Sequence, residues 1–366
     1  MNLMTFFDRA ESTSLPDREV VDALVHPAHA APSPPLKDAL RSWRGPYYWA
    51  DESDGRHLIL TQVRPRPPER WWLHGALLAL TFVSVTLAGA VLAGRFPYYG
   101  VLGLLTSLAH PGPRVWAAWV SGLSFSIPLL GILLAHELGH YVTARRHGVN
   151  ASPPYFIPAP FITIIGSLGA FIRIRTILSD RRQLLDIGVA GPFAGFLVAL
   201  PVLVAGMALS TPLPHLAPNA GLLLNLGPDT IPVGGSLLTE WVRRLVIGGS
   251  GGVALSPLAF AGWIGMFVTM LNLLPLSQLD GGHALYAALP RLHSRLALVF
   301  WVGLAVLGWF TWEGWLVWAV FIVLMSRGRL AHPAVLSPRR GLPRAQLVMA
   351  VLALVLFAVT FVPKPF

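Results

Sequence analysis

Seven long apolar runs constrain what this chain can fold into. They lie near 72–94, 117–144, 184–209, 257–275, 296–310, 313–326 and 345–362. A bilayer core asks for about 20 apolar residues per helical crossing. Inside it, every backbone N–H and C=O has to be satisfied within the segment itself. Helices meet that demand. The expectation is an all-α polytopic membrane protein of about six to seven transmembrane helices, several of them carrying Gly or Pro. The fifth and sixth runs are short, and the turn at 312–314 is placed to join them as a tight hairpin.

Charge sorts along the chain in the same way. Only 12% of the 366 residues are charged, and ten of the seventeen acids fall in residues 1–71. An ordinary soluble domain has about 25% charged residues. The expected division is therefore an N-terminal arm or small element at 1–71, a transmembrane core at 72–285 and C-terminal transmembrane helices at 286–366. Within the arm, Pro32 to Pro68 is rich in Pro and Arg, while Tyr47-Tyr48-Trp49 and Leu58-Ile59-Leu60 could form a small packed element. Residues 1–24 hold five acids and no apolar core, so they do not read as a cleavable signal.

The net charge of +10 is mostly topology. With the N-terminus placed in the cytoplasm, twenty-two Lys and Arg residues fall on the cytoplasmic side and five fall elsewhere: Arg95, Arg114, Arg243, Arg244 and Lys364. No basic face interleaved with aromatic platforms is present, so a nucleic-acid partner is not expected. The absence of cysteine excludes disulfides and thiolate metal sites, leaving His, Asp and Glu as ligands for any zinc.

Within the second run stands His136-Glu137-Leu138-Gly139-His140, an H-E-x-x-H pattern. Ionisable groups at bilayer depth are costly and mark functional sites by default. On a helix, residues four apart share one face, so both imidazoles can meet one ion. Glu137 is turned about 100° away, beside the metal instead of on it. Arg145 and Arg146 follow, which puts the motif near the cytoplasmic end of the run.

A catalytic zinc needs three protein ligands plus water. Asp186 opens the third run, Glu313 lies in the opposite-side turn, Asp229 and Glu240 sit in the external segment, and Asp180 occupies a cytoplasmic turn. That leaves Asp280, which follows a run travelling from outside to inside and so arrives at the same face as His140. Pro275 interrupts the helix before it, and Gly281 and Gly282 are expected to allow unusual backbone angles. An Asp-Gly pair alone reads as an ordinary turn; its pairing with H-E-x-x-H changes that reading. Asn272 offers amide donors that could polarise a scissile carbonyl or its oxyanion, or else bond between helices.

These residues resemble the site-2 proteases, intramembrane zinc metalloproteases that pair H-E-x-x-H on one helix with N-x-x-P-x-x-x-x-D-G on another. This chain carries the second pattern from Asn272 through Pro275 to Asp280-Gly281. Tyr155 to Pro158, Gly166 to Arg173 and Gly191 to Gly195 are similar to the subgroup with cyanobacterial and plastid members. The resemblance covers about residues 115–285. It implies one catalytic zinc ion held by His136, His140 and Asp280, with Glu137 as acid/base and Asn272 assisting the reacting carbonyl.

The function implied is hydrolysis of peptide bonds within or near transmembrane segments, as in regulated intramembrane proteolysis. The partners would be the bilayer and membrane-protein substrates, such as single-span regulators of the anti-sigma type. The expected location is the bacterial inner membrane, multi-pass, with the active site toward the cytoplasm. Alternatives are a membrane zinc protease of another class acting on soluble or unfolded chains, and a catalytically silent zinc-binding protein. The 210–255 segment is too short for a PDZ domain; its amphipathic stretch near 237–247 suits a membrane surface. Residues 161–177, β-branched and aromatic, read either as a small re-entrant β-hairpin or loop or as a hydrophobic loop lying on the surface. The resemblance implies the former, with an edge that pairs with an extended substrate. Gly188, Gly191 and Gly195 read as a close-packing surface, His147 and His293 as edge residues, and His283 as a possible partner of the ligands.

Overall fold

The computed structural model describes residues 3–366 except 15–17, 32, 44, 53, 64–68, 96–108, 110–111, 176–177, 179, 215–220, 227–228, 250, 327 and 329–341. Most of the basic 327–344 loop and parts of the Pro- and Arg-rich stretch therefore lie outside the described residues. The chain divides into two compact units: Met1–Glu69 with Ile174–Ile177, and Arg70–Arg173 with Leu178–Phe366.

In the first unit, strands β1 (Phe7–Ser14), β2 (Arg18–Val25), β3 (Tyr47–Glu52) and β4 (Gly55–Val63) form one antiparallel sheet in the order β1-β2-β4-β3, accompanied by helix α1 (Pro34–Arg41). The two apolar triplets of the sequence face each other across β3 and β4: Tyr47 opposite Leu60, Tyr48 opposite Ile59, Trp49 opposite Leu58. Phe6, Val25, Leu36, Leu40, Leu58 and Leu60 make its core. His57 on β4 is clamped from both ring nitrogens, Nδ1 at 2.7 Å from Asp22 and Nε2 at 3.0 Å from Asp54.

The second unit is built from α2 (Trp71–Leu92), α3 (Pro113–Arg146), α4 (Arg181–Ala208), α5 (Leu237–Val246), α6 (Pro257–Asn272), α7 (Asp280–Ala288), α8 (His293–Phe310), α9 (Gly314–Met325) and α10 (Arg344–Thr360). Among the described residues, α2, α3, α4 and α8 are long and apolar enough to cross a membrane, while α6, α9 and α10 are apolar but shorter. Residues Thr311–Glu313 alone separate α8 from α9.

Small residues let the central helices approach closely, as in membrane bundles generally. A Cβ on Gly122 of α3 would lie 2.1 Å from the Thr86 carbonyl oxygen of α2. One on Gly139 would lie 2.4 Å from the Ala190 carbonyl oxygen of α4. On α6, Phe260, Trp263 and Phe267 form a stacked run that continues to Phe125 of α3.

Four helices among the described residues are long and apolar enough to cross a membrane, against the six to seven expected. Sheets fill segments between helices of a chain expected to be all-α. β5 (Tyr155–Pro158) pairs antiparallel with β6 (Ser167–Phe171). The pairing thus begins before the 161–177 stretch singled out in the sequence, because residues 159–166 make the connection, with Phe161 at φ 67° and Gly166 at φ 76°. A second four-stranded sheet orders β7 (Thr211–Leu213), β10 (Gly252–Ala254), β8 (Leu222–Leu226) and β9 (Asp229–Val233). The amphipathic stretch near 237–247 is α5, capped by Ser236 and Thr239, which bond reciprocally across its first turn.

Candidate active site

His136 and His140 occupy successive turns on the buried face of α3, only 4% and 8% exposed, with ring centroids 4.8 Å apart. Asp280 reaches them from a different part of the chain. Beyond Asn272 the helix stops, since Pro275 has no N–H to continue it. The chain turns through Leu273–Leu279, with Ser277 at φ 48°, and α7 begins at Asp280. A carboxylate in a first helical turn faces unpaired N–H groups, which favour negative charge there.

The two glycines after Asp280 have a different purpose from the one expected. Neither has a positive φ. A Cβ on Gly281 would lie 2.0 Å from the Leu273 carbonyl oxygen, and one on Gly282 would lie 2.3 Å from that of Ser277. They permit the tight return of the loop by lacking a side chain; the unusual backbone angle belongs to Ser277.

The three side chains present one donor atom each to a common point. His136 Nε2 and His140 Nε2 are 3.1 Å apart. Asp280 Oδ2 is 3.4 Å from the first and 3.3 Å from the second. A tetrahedral ion with bonds of about 2.0–2.1 Å spaces its ligand atoms about 3.3–3.4 Å apart. The triangle therefore fits a single ion of that kind. Among the described residues, this is the one group of three or more His, Cys, Asp or Glu side chains arranged to hold a metal.

Neighbouring groups orient the cluster. The Ile187 carbonyl, 2.7 Å from His140 Nδ1, can only accept, so Nδ1 carries the proton and Nε2 presents its lone pair to the cluster. Asn272 Nδ2 lies 3.2 Å from His136 Nε2, which places this amide at the edge of the triangle. Glu137 is 6% exposed, and β6 packs against the helix that carries it. The β5–β6 pair is thus tied to the helix of the two histidines.

Other residues noted in the sequence fall elsewhere. His147 Nε2 is 3.1 Å from Asp186 Oδ2 at the end of α3. His283 is half-buried, and its Cβ lies 3.0 Å from where a Cβ on Gly188 would stand. One contributor had no signal in the sequence: the Ile187 carbonyl is a backbone group, which no residue type announces. Gly191 was legible only as a packing residue, yet its Cα faces the His140 ring.

Residues 124–307, half of the chain, match the profile of peptidase family M50. The chain is 36% identical over 214 residues to Probable zinc metalloprotease EGY1, chloroplastic, of Arabidopsis thaliana, covering 57% of this chain and 37% of that protein. It is 28% identical over 250 residues to Probable zinc metalloprotease EGY2, chloroplastic, of Oryza sativa subsp. indica, covering 67% of this chain and 43% of that protein. It is also 32% identical to Probable zinc metallopeptidase EGY3, chloroplastic, of Arabidopsis thaliana, over 45% of this chain and 30% of that protein. The chain thus spans less than half the length of each of these relatives. No solved structure matches it. The profile runs through both the H-E-x-x-H helix and the Asp280 turn, and on that extent the chain belongs to peptidase family M50, the site-2 protease family, with likeness to its plastid members.

Proposed function

We propose that this protein is a zinc endopeptidase embedded in a membrane, hydrolysing peptide bonds within or near the transmembrane segments of other membrane proteins. The observation that carries this reading is the triangle of His136 Nε2, His140 Nε2 and Asp280 Oδ2, with edges of 3.1, 3.3 and 3.4 Å, buried among apolar helices. One zinc ion held there supplies Lewis acidity, which lowers the pKa of water toward about 7 and polarises a carbonyl.

The chain's own residues do the rest. Glu137 takes the proton of the attacking water and returns it to the leaving amine. The Asn272 amide donates to the oxygen of the scissile carbonyl as charge develops on it. A helical substrate hides its carbonyls in hydrogen bonds, so it has to be unwound first. The β5–β6 pair enters the bilayer edge beside Glu137 and receives the substrate as an added strand. Support for this comes from the packing of β6 against α3, the helix that carries Glu137.

The distribution of basic residues favours a cytoplasmic N-terminus and a site opening toward the cytoplasm; a bacterial inner membrane is the location the reading takes. Single-span regulators of the anti-sigma type are the substrate class that the resemblance to site-2 proteases implies. The experiment is proteomics of membrane fragments in cells carrying wild type or Glu137→Gln. Single-span stubs should accumulate in the variant alone. Identical fragment patterns in the two strains, with the variant still binding zinc, would refute the reading.

A further inference from the structure

Between α7, α8 and α10 lies a cavity of about 370 Å³ that no step of the proposed hydrolysis uses. Its wall includes Ala284, Leu285, Phe300, Ala350 and Leu354, and no charged or hydrogen-bonding side chain contributes to it. It is open on the α10 side, where Leu347, Val351 and Leu354 are 44–59% exposed. An empty apolar cavity is destabilising in proportion to its volume, and apolar cavities of this kind stay dry and take up hydrocarbon.

Charge gathers at one end of it. On α10, Arg344 precedes the lining residues Leu347 and Val351 by three and seven positions, so it stands one turn below the first and two below the second on the same face. Arg295 adjoins the lining residue Leu296, and Arg291 follows Leu289 by two positions. All three arginines are exposed. An apolar slot with a cationic rim matches a phospholipid carrying negative charge.

We infer that this cavity binds one acyl chain of an anionic phospholipid whose phosphate rests on Arg291, Arg295 and Arg344. Leu273, Pro275 and Gly281 also belong to the wall. These residues bracket the loop that delivers Asp280, so the bound chain braces that loop. The inference stands apart from the peptidase reading, because lipid retention is measured without any cleavage.

The test is native mass spectrometry of the full chain released from vesicles of equimolar phosphatidylglycerol and phosphatidylcholine. Wild type should retain one phosphatidylglycerol, at about tenfold excess over phosphatidylcholine. Ala350→Leu, which fills the cavity, and separately the exposed triple change Arg291→Gln, Arg295→Gln and Arg344→Gln, should each lower retention about tenfold. Arg244→Gln, on α5 and outside the cavity, should leave it unchanged. If Ala350→Leu fails to fold, the surface arginine variant decides alone. Equal retention of the two lipids, undiminished retention in the arginine variant, or a co-purifying peptide in place of lipid would each overturn the inference.

Discussion

Replacing Gly191 by alanine should empty the metal site without touching a ligand. The added Cβ would stand 2.1 Å from His140 Nε2, 2.4 Å from Cδ2 and 2.6 Å from Cε1. Carbon atoms in ordinary contact sit about 3.5–4.0 Å apart, so the overlap is more than about 1 Å and falls on the nitrogen that faces the cluster. The helices cannot part to relieve it at little cost, since α3 and α4 already touch through Gly139 and the Ala190 carbonyl. Turning the imidazole instead breaks its bond to the Ile187 carbonyl and withdraws one of three donors. Overpacking of this kind costs about 1–3 kcal/mol. Displacing a ligand should exceed the roughly 10–100-fold loss of metal affinity seen on removing a supporting group. The assay is zinc stoichiometry after equilibration with a competing chelator. Gly131→Ala is the control: it lies on α3 with His140, and its Cβ would meet nothing within 4 Å. Wild-type zinc affinity in Gly191→Ala would show that the packing argument is wrong.

Three further outcomes are expected. Asp280→Ala should lose zinc by at least about 100-fold, whereas Glu137→Gln should keep it and lose peptide hydrolysis; elemental analysis with a cleavage assay separates the two. In the N-terminal unit, the hydrogen bond from His57 to Asp22 holds the imidazole pKa above its usual 6.5, with Asp54 adding to the effect. A raised folded-state pKa stabilises fully below about 6.5 and fades as pH rises through the folded value; Asp22→Asn should bring the His57 midpoint down in an NMR titration, and an unmoved midpoint would refute the assignment. Trp315 Nε1 donates to the Pro363 carbonyl at 2.8 Å, so Trp315→Phe should cost about 0.5–1.5 kcal/mol for that bond, more with the volume lost, read as a lowered thermal midpoint.

How far the sequence reached depended on the kind of signal each element carries. Long helices announce themselves through run length, and α2, α3, α4 and α8 start and end within a few residues of the apolar runs. The N-terminal sheet did not, because β1 reads Phe-Asp-Arg-Ala-Glu-Ser-Thr-Ser, with no apolar alternation to mark a buried face. Its partner strands acquire meaning only when paired. The short strands between 211 and 254 are three to five residues long, below what periodicity can resolve.

The candidate site was legible for a different reason. His136, Glu137, His140, Asn272 and Asp280 are residue types that bilayer depth makes expensive, and their spacing on two segments left few ways to satisfy a metal. Sequence alone thus determined which side chains are available to meet an ion and which segments can lie in a membrane. Tertiary structure decided the rest: the 3.3 Å closure of Asp280 on His140, the tautomer set by Ile187, and the contact of Gly191 with the imidazole. These depend on backbone atoms and on close approach between distant segments. Neither is encoded in the type or spacing of any one residue.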